Sequence, residues 1–256
     1  MNLGVCVPWA LRQQALELGY DYVELPLVST VELAERGEED AEALREQLAQ
    51  VPKYNILLPG WVELLGDTSD AALSEYLHGA FGWIAAEGAP TRPIVLGSGR
   101  SRNRPEDLPY EEAFERLVER VRLIGELAAE YKLQIVFEPL NQLETNMIHT
   151  LTEGARLVEA VGLPNVGLIA DYYHMLMEEE SLEVLNKGYP IWHAHIALDK
   201  SLAYPRSLTP GLKQFLDQLL ASGYRGDVSI EAVGTLTDEV LLASLASLRA
   251  WRAEHA

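Results

Sequence analysis

The sequence is poor in cysteine, in basic residues and in long apolar runs. Cys6 is the only cysteine in 256 residues, so no intrachain disulfide can form, which fits a reducing compartment. Lysine and arginine number 20 against 39 acidic residues, which gives a formal net charge of −19. Such a surface repels polyphosphate backbones and anionic membranes. We therefore expect a cytoplasmic protein that binds neither nucleic acid nor membranes.

No apolar run approaches the length of a membrane span. The first apolar stretch, residues 3–7, has no basic lead and is too short for the apolar region of a signal peptide. It is typical of a first β-strand instead. There is also no low-complexity linker or composition break that would mark a second domain, so we expect one domain over residues 1–256.

Strand-like and helix-like patterns alternate eight times along the chain. The predicted strands cover residues 3–7, 21–26, 55–59, 93–97, 134–138, 166–171, 193–198 and 227–231. The predicted helices cover residues 9–18, 38–50, 69–87, 109–131, 152–161, 182–187, 211–222 and 238–252. Eight β/α units in about 250 residues are typical of an α/β (β/α)8 TIM barrel. A doubly wound parallel sheet also fits the alternation, but eight strands favour a closed barrel.

The fifth predicted strand carries the most informative stretch. It runs from Gln134 to Glu138 and is followed by Pro139, which cannot donate a ladder hydrogen bond and so ends the strand. Glu138 is thereby placed at the carboxyl tip of a buried strand, with Glu144 in the loop beyond. A buried glutamate is costly unless a cation lies beside it.

Four consecutive predicted strands end in residues that can bind a metal ion: Glu138, Asp171, His195 and Glu231. Each of them alone is more simply explained as a solvated loop residue, a salt-bridge partner or a hydrogen-bonded core histidine. In a barrel, however, the strand tips lie side by side on the face where active sites form. Three carboxylates and one imidazole suit Mn²⁺, Mg²⁺ or Co²⁺ better than a metal that prefers thiolates. The pattern predicts one metal site.

The other histidines divide into two groups. His193 lies on the same side of its strand as His195 but one layer deeper, and is predicted to be either a core residue or a neighbour of the metal ligands. His174 follows Asp171 by three residues and is placed to touch substrate. His78 and His149 are predicted to lie on the surface.

The motifs Glu138-Pro139-Leu140-Asn141, Glu144-Thr145-Asn146, Asp171-x-x-His174-Met175, His193-x-His195 and Ile230-Glu231 resemble the sugar isomerase/epimerase superfamily of xylose-isomerase-like TIM barrels. The nearest subgroup is similar to the ketose 3-epimerases that act on D-tagatose, D-psicose or L-ribulose. The resemblance covers nearly the whole chain. It includes the loop from Gly97 to Arg100, which resembles related sugar phosphate isomerases/epimerases.

This resemblance implies a ligand set and roles for individual residues. Glu138, Asp171, His195 and Glu231 would hold one divalent ion, with Mn²⁺ the first choice and Co²⁺, Mg²⁺ or Zn²⁺ as alternatives. Glu138 and Glu231 would also be the catalytic acid/base pair, and Glu144 and His174 would contact substrate oxygens. A dimer or tetramer is expected by analogy with relatives.

One departure concerns the arginine that usually follows the seventh-strand histidine in these epimerases. This chain has Lys200 near that position, and Lys200 or Arg206 could replace the arginine, or the substrate could differ. The loop after the fourth strand also carries Arg100, Arg102 and Arg104. These arginines either bind an anionic group of the substrate, such as a phosphate, or pair with surface acids in a solvated loop.

Four aromatic residues near strand ends are candidates for the wall of a sugar pocket, and at most one is expected to contact substrate: Trp9, Trp61, Tyr172 and Tyr173. Trp192 and Trp251 are expected to be structural. The predicted substrate is a small sugar or sugar phosphate.

Several activities share this barrel and metal. The first hypothesis is inversion of a ketose at C3, beside the carbonyl, through an enediolate. An aldose–ketose isomerase of the hydroxypyruvate isomerase type, a keto-inositol dehydratase and a non-catalytic sugar-binding barrel are alternatives. A nuclease resembling endonuclease IV would need more histidines at the ends of the second to fourth strands, where this chain has Glu24, Leu58, Pro59 and Gly97.

Overall fold

Eight parallel strands close into a barrel in the computed structural model, which describes residues 1–37, 40–85 and 92–255. Each strand pairs with the next in the chain, and β8 pairs with β1. The predicted TIM barrel is therefore confirmed. The strands are β1 Leu3–Cys6, β2 Tyr22–Pro26, β3 Lys53–Asn55, β4 Arg92–Leu96, β5 Leu133–Phe137, β6 Val166–Asp171, β7 Ile191–Ile196 and β8 Asp227–Ile230.

Helices connect the strands around the outside of the barrel. They are α1 Arg12–Glu17, α2 Leu27–Arg36, α3 Ala41–Leu48, α4 Asp70–Ile84, α5 Tyr110–Glu130, α6 Leu151–Val161, α7 Tyr172–Met177, α8 Pro210–Ala221 and α9 Asp238–Glu254. Short 3-10 turns occupy Trp9–Leu11, Gly99–Arg102 and Leu182–Lys187. Side-chain caps begin several helices. Thr150, for example, forms a capping box with Glu153 at the start of α6.

The third strand differs from its prediction. The sequence analysis placed it at residues 55–59, but β3 ends at Asn55 because Ile56 takes a left-handed backbone with φ of 47°. Leu57 and Leu58 are buried without being in a strand, so the apolar run misled the prediction. Buried loop residues can be as apolar as the residues of a strand.

The connections after β2 and β6 also differ from prediction. Between β2 and β3 the chain forms α2 and α3 where one helix over 38–50 was expected, and residues 38 and 39 lie outside the described residues. The last two residues of the helix predicted over 69–87 lie outside them as well. After β6 the unpredicted helix α7 begins at once, because the Asp171 side chain accepts a hydrogen bond from the His174 backbone N–H.

The register of the strands brings their carboxyl tips to one level. Asp171 of β6 pairs directly with His195 of β7. The backbone N–H of Glu138 donates to Leu96 on β4, and that of Glu231 donates to Ile196 on β7. Below these tips, Val95, Val136 and Ile169 form a small apolar cluster with Trp192, as expected for a structural tryptophan. Among the described helices, none is long and apolar enough to cross a membrane.

Candidate metal centre and substrate cavity

Four side chains converge at the carboxyl end of the barrel, one from each of the strands β5 to β8. Each of Glu138, Asp171, His195 and Glu231 offers one donor atom, and these atoms lie within 4.8 Å of one another. His195 Nδ1 lies 2.9 Å from Glu231 Oε2, 3.6 Å from Glu138 Oε1 and 3.8 Å from Asp171 Oδ2. The structure thus brings together the four residues that the sequence analysis placed at strand tips.

The chemistry of this cluster fits a divalent cation. Glu138 Oε1 is buried and has no hydrogen-bond partner among the described residues. None of the ion pairs formed by the three carboxylates in the described part of the chain involves lysine or arginine; the partner is His195 in every case. Three carboxylates that share one imidazole lack enough positive charge to balance them, and a divalent ion coordinated by them would supply it. Oxygen donors with one imidazole favour a hard or borderline ion.

Glu24, in the middle of β2, orients the imidazole of His195. Glu24 Oε1 lies 2.9 Å from His195 Nε2, and both side chains are fully buried. A proton on Nε2 satisfies this hydrogen bond and leaves the Nδ1 lone pair directed at the carboxylate cluster. Cys6 Sγ lies 3.9 Å from the same Nε2, on the side of the ring away from the cluster.

A buried network surrounds Glu24. Its Oε2 accepts hydrogen bonds from Ser229 Oγ at 2.6 Å and from His193 Nε2 at 2.8 Å, and Tyr22 Oη lies 2.8 Å from Ser229 Oγ. His193 is therefore a neighbour of the residue that orients His195, one of the two roles predicted for it. Glu24 itself was missed because it was considered only as a position that lacks histidine. The signal that could have found it is a lone carboxylate inside a strand of apolar residues, which needs a buried partner.

Electrostatics differ between the two glutamates of the cluster. Burial raises the pKa of Glu138 to about 7. Burial has the same tendency at Glu231, but the attraction of His195 outweighs it and lowers the pKa of Glu231. Burial would lower the pKa of His195, yet Glu24 and Glu231 raise it well above its ordinary value. His195 is thus held between two carboxylates.

Glu138 is fixed from two further sides. A Cβ at Gly97 would overlap Glu138 Oε2, so only glycine leaves room for the carboxylate at this point of the β4 loop. Arg102 is fully buried, donates from Nη1 to the Glu138 carbonyl at 2.7 Å, and places its guanidinium 4.6 Å from the Phe137 ring centre. Burial lowers the pKa of Arg102 to about 9. Arg102 is therefore neither solvated nor a direct substrate contact.

An open cavity of about 580 Å³ lies above the cluster. Its wall includes Glu138 and Glu231 on the metal side, with Asn55 donating from Nδ2 to Glu231 Oε1 at 3.1 Å. Its size suits a small sugar-like molecule. Asn55 was predicted only as a strand residue, and its contact with Glu231 becomes visible once β3 is known to end there.

The predicted substrate contacts Glu144 and His174 both line this cavity, beside Tyr173. Asn141 holds the pair: its Nδ2 lies 3.1 Å from Glu144 Oε1 and 2.8 Å from His174 Nδ1, and its backbone N–H lies 3.2 Å from the same nitrogen. Because Nδ1 of His174 faces these N–H donors, its Nε2 carries the proton. The quoted motif contained Asn141 without a role.

The structure places the remaining candidates away from the cavity wall. Arg100 is exposed, and Lys200 is exposed with its Nζ 3.8 Å from Glu179. Arg206 lies 3.8 Å from Glu239, and Arg104 donates to the Leu108 carbonyl at 2.6 Å. None of these four side chains lines the cavity, and Lys200, Arg206 and Arg104 have surface or backbone partners outside it.

The predicted aromatic wall reduces to one residue, as Tyr173 alone of the four aromatic candidates lines the cavity. Trp61 is 56% exposed and packs edge-on against Tyr76, and Tyr172 packs against Phe215.

The two histidines that were predicted to lie on the surface differ in exposure. His78 is exposed as expected. His149 is only half-exposed, because its Nδ1 bonds the Leu140 carbonyl at 3.0 Å.

Two of the known proteins that are similar in sequence to this chain are both named as epimerases. A probable ketose 3-epimerase of Synechocystis sp. is 28% identical over 153 residues, which are 59% of this chain and 50% of that protein. A 3-dehydro-D-guloside 4-epimerase of Escherichia coli is 34% identical over 113 residues, 43% of each protein. The matched regions therefore cover only about half of the length of these curated relatives.

The fold has solved counterparts. The crystal structure of IOLI protein with a bound zinc atom superposes with a TM-score of 0.73 at 19% identity, covering 100% of this chain and 99% of that one. At this identity the likeness shows the fold. The xylose isomerase-like TIM barrel family matches residues 12–251, nearly the whole chain. With its closed eight-stranded barrel, the chain belongs to the xylose isomerase-like TIM barrel family.

Proposed function

We propose that this protein is a divalent-metal-dependent epimerase that inverts a sugar carbon next to a ketone. The observation that carries the proposal is the convergence of Glu138, Asp171, His195 and Glu231 at the base of the cavity, which supports one ion with a glutamate on either flank. We propose Mn²⁺ as the resident ion, with Co²⁺, Mg²⁺ or Zn²⁺ as alternatives. The zinc atom described for IOLI protein supports a divalent ion in this fold.

The chemistry follows from the acidity of the substrate. A proton on a carbon beside a ketone is too weakly acidic for a carboxylate alone, and a bound divalent ion supplies the positive charge that stabilises the developing enediolate oxygens. Glu138 and Glu231 come from β5 and β8, the outer two of the four contributing strands. One glutamate removes the proton and the other returns a proton to the opposite face of the flat intermediate, so the centre inverts.

Glu144 and His174 complete the site by binding substrate oxygens. Both line the cavity, and Asn141 fixes their orientation. His174 presents an Nε2 proton to an oxygen acceptor, whereas Glu144 accepts a hydroxyl proton. These two contacts hold the sugar ring in one orientation over the two glutamates.

The names of the two relatives support the same reaction class. A ketose 3-epimerase inverts the carbon beside a C2 ketone, and an epimerase of a 3-dehydro sugar at C4 inverts the carbon beside a C3 ketone. The proposal also includes a cytoplasmic location, which cell fractionation tests. It further includes a homo-oligomer, either a dimer or a tetramer, which gel filtration with light scattering tests. An endonuclease-like activity is disfavoured, because no lysine or arginine is among the described residues that line the cavity.

The test follows deuterium from D₂O into sugars. Metal-loaded protein is incubated with free ketoses, ketose phosphates and 3-dehydro glycosides, and the products are read by NMR and mass spectrometry. Epimers carrying deuterium at the inverted carbon support the proposal. Deuterium at the neighbouring carbon of an aldose would indicate an isomerase, and a product lighter by one water would indicate a dehydratase. No exchange with any sugar, despite bound metal, would reject all three activities.

A variant identifies the base. Glu231→Gln should abolish turnover while much of the metal stays bound, because three of the four donors remain. Glu159→Gln, at an exposed position of α6, is the matched control and should retain full activity. Full activity in Glu231→Gln would remove that residue from the mechanism.

A further inference from the structure

The wall of the cavity is chemically uneven. Glu144, Tyr173 and His174 form a polar wall on the β5–β6 side. Large apolar residues line other parts of the cavity, and four of them lie in the loops that follow β3, β7 and β8: Ile56, Leu202, Val233 and Leu236. We call these four the apolar rim. Contact with such a surface does not stabilise a bound sugar hydroxyl, whereas it stabilises a bound hydrocarbon group by removing apolar area from water.

Two of the four residues of the apolar rim are exposed to solvent, and the other two, Leu202 and Leu236, are partly buried. Val233 is 60% exposed and Ile56 is 50% exposed, although both border a cavity. Exposed apolar surface beside a polar site is typical of a ligand groove. The backbone N–H of Val233 donates to the Leu202 carbonyl at 2.7 Å, which ties the loops after β7 and β8 together and holds the two side chains on one surface.

Two members of the apolar rim are held in a strained backbone conformation. Ile56 has φ of 47° and Leu202 has φ of 55°, in the left-handed region that branched and bulky side chains rarely adopt. Asparagine or glycine would adopt these angles at less cost. Backbone strain of this kind persists only where the surrounding structure holds the residue in place. At Ile56 the strain directs an isoleucine to the mouth of the cavity, next to Asn55, which contacts Glu231.

The cavity also disfavours anions. None of its lining residues, within the described ranges, is lysine or arginine, and it contains Glu138, Glu144 and Glu231. A divalent ion would not cancel the charge of the ionised carboxylates around it. The arginines and the lysine that could have bound a phosphate, Arg100, Arg102 and Lys200, lie outside the cavity wall.

We propose that the substrate is a neutral keto sugar bearing an apolar substituent, such as an aryl or alkyl glycoside, and that the apolar rim binds this substituent. The inference rests on the proposed epimerase function and specifies its substrate class. The polar wall takes the sugar ring over the carboxylates, and the substituent extends from the ring along the rim on the Glu231 side. A phosphorylated sugar would bring its charge against the same carboxylates.

The test measures binding without turnover, so that it stays separate from the epimerase assay. Calorimetry compares phenyl β-D-glucoside, methyl β-D-glucoside and glucose 6-phosphate on manganese-loaded protein. We expect the phenyl glycoside to bind roughly five- to tenfold more tightly than the methyl glycoside, the gain from burying about 40–55 Å² of additional apolar surface, with the phosphate weakest. Equal affinities for the two glycosides, or tighter binding of the phosphate, would overturn the inference even if ketoses are epimerised.

Variants of the rim assign the effect to its residues. Ile56→Asn and Val233→Ser should reduce the preference for phenyl over methyl at least about threefold, with the larger loss in affinity for the phenyl glycoside. Ile56→Asn should also raise the melting temperature, because asparagine adopts the left-handed backbone readily, so weaker binding cannot be ascribed to unfolding. Leu143→Ser is the control, since Leu143 is 81% exposed and does not line the cavity. An unchanged preference in both rim variants would contradict the assignment.

Discussion

Glu24 accepts a hydrogen bond of 2.9 Å from Nε2 of His195, at a site where neither side chain reaches solvent. This bond determines which nitrogen of the imidazole faces the carboxylates of Glu138, Asp171 and Glu231. Burial opposes the charge on Glu24, but the attraction of His195 and His193 lowers its pKa well below the ordinary value, so the carboxylate is ionised. The proposed metal centre therefore depends on a carboxylate that is not one of its ligands.

Glu24→Gln should weaken metal binding about 10- to 100-fold, the range typical for loss of the partner of a ligand histidine. Glutamine is similar in size but carries no charge, and its amide can turn an N–H toward His195 and reverse the tautomer. Competition titration with a fluorescent chelator measures the affinity, and ¹⁵N NMR of the His195 ring reports the tautomer directly.

Tyr22→Phe is the matched control for Glu24→Gln. It removes the hydroxyl that contacts Ser229, within the same buried network, but leaves the Glu24–His195 hydrogen bond in place. Metal affinity should change less than about threefold in this variant. An equal loss in both variants would show that general disruption of the network, rather than the orientation of His195, weakens the site.

Gly97→Ala should reduce kcat/KM about 100-fold, because the added methyl group overlaps Glu138 Oε2 and displaces the carboxylate. The effect should fall on turnover more than on the melting temperature, since the displaced group is a side chain at the edge of the cavity. Gly60→Ala adds the same methyl group where nothing lies within 4 Å and should be neutral. Unimpaired turnover in Gly97→Ala would show that the position of Glu138 is not critical.

Asp171→Asn separates metal binding from folding. Asparagine keeps the oxygen that accepts from the His174 backbone N–H and caps α7, but it loses the charge that a cation requires. In the original protein, metal at a hundredfold excess over Kd should add about 2.7 kcal/mol to the free energy of unfolding. Denaturant titration with and without metal should show this gain reduced in Asp171→Asn, with stability in chelator unchanged. An undiminished gain would exclude Asp171 as a ligand.

The Lys53–Asp227 ion pair, 2.9 Å long and largely buried, should make stability depend on pH. Burial opposes ionisation of Asp227, but Lys53 outweighs it and lowers the pKa of the carboxyl below 3.8. A lowered pKa in the folded state stabilises above the ordinary value and loses this contribution as pH falls through the folded value. Asp227→Asn should therefore cost about 1–3 kcal/mol at pH 7, and the difference should shrink below about pH 4.

The exposed pair Lys213–Glu254, 3.0 Å long, serves as the comparison for this experiment. Glu254→Gln should change the free energy of unfolding by less than about 1 kcal/mol, because solvent screens exposed pairs. Urea unfolding at several pH values measures both variants. A cost for Asp227→Asn that does not vary with pH would show that the charge contributes nothing.

The sequence was sufficient to predict the barrel and the convergence of the four strand-tip residues, since both follow from local rules. Apolar runs and helical spacing gave the eight units, and the parallel arrangement then placed the tips together. The same rules failed at β3, because buried loop residues such as Leu57 and Leu58 have the composition of a strand. The left-handed backbone at Ile56, which ends the strand, leaves no mark in the local pattern.

The sequence did not predict whether a long charged side chain is buried or exposed. Arg102 and Arg100 are two residues apart, yet Arg102 is sealed under Glu138 against Phe137 and Arg100 is exposed. Arg102 turns inward to the Glu138 carbonyl and the Phe137 ring, which are 35 or more residues away along the chain, so only tertiary packing decides between the two arginines. Lys200 was selected by its distance from His195 along the chain, but the backbone after β7 carries it toward Glu179.

Cys6 lies against the opposite nitrogen of His195 from the carboxylate cluster. The imidazole ring therefore separates two groups of possible metal ligands. The carboxylates of Glu138, Asp171 and Glu231 lie at Nδ1, and the Cys6 sulphur and Glu24 lie at Nε2. An ion at Nδ1 would have three carboxylates beside the imidazole, whereas an ion at Nε2 would have the Cys6 sulphur and the Glu24 carboxylate. Because the hydrogen bond to Glu24 keeps the proton on Nε2, the ring offers its lone pair on the oxygen-rich side, and this favours a hard ion over a soft one.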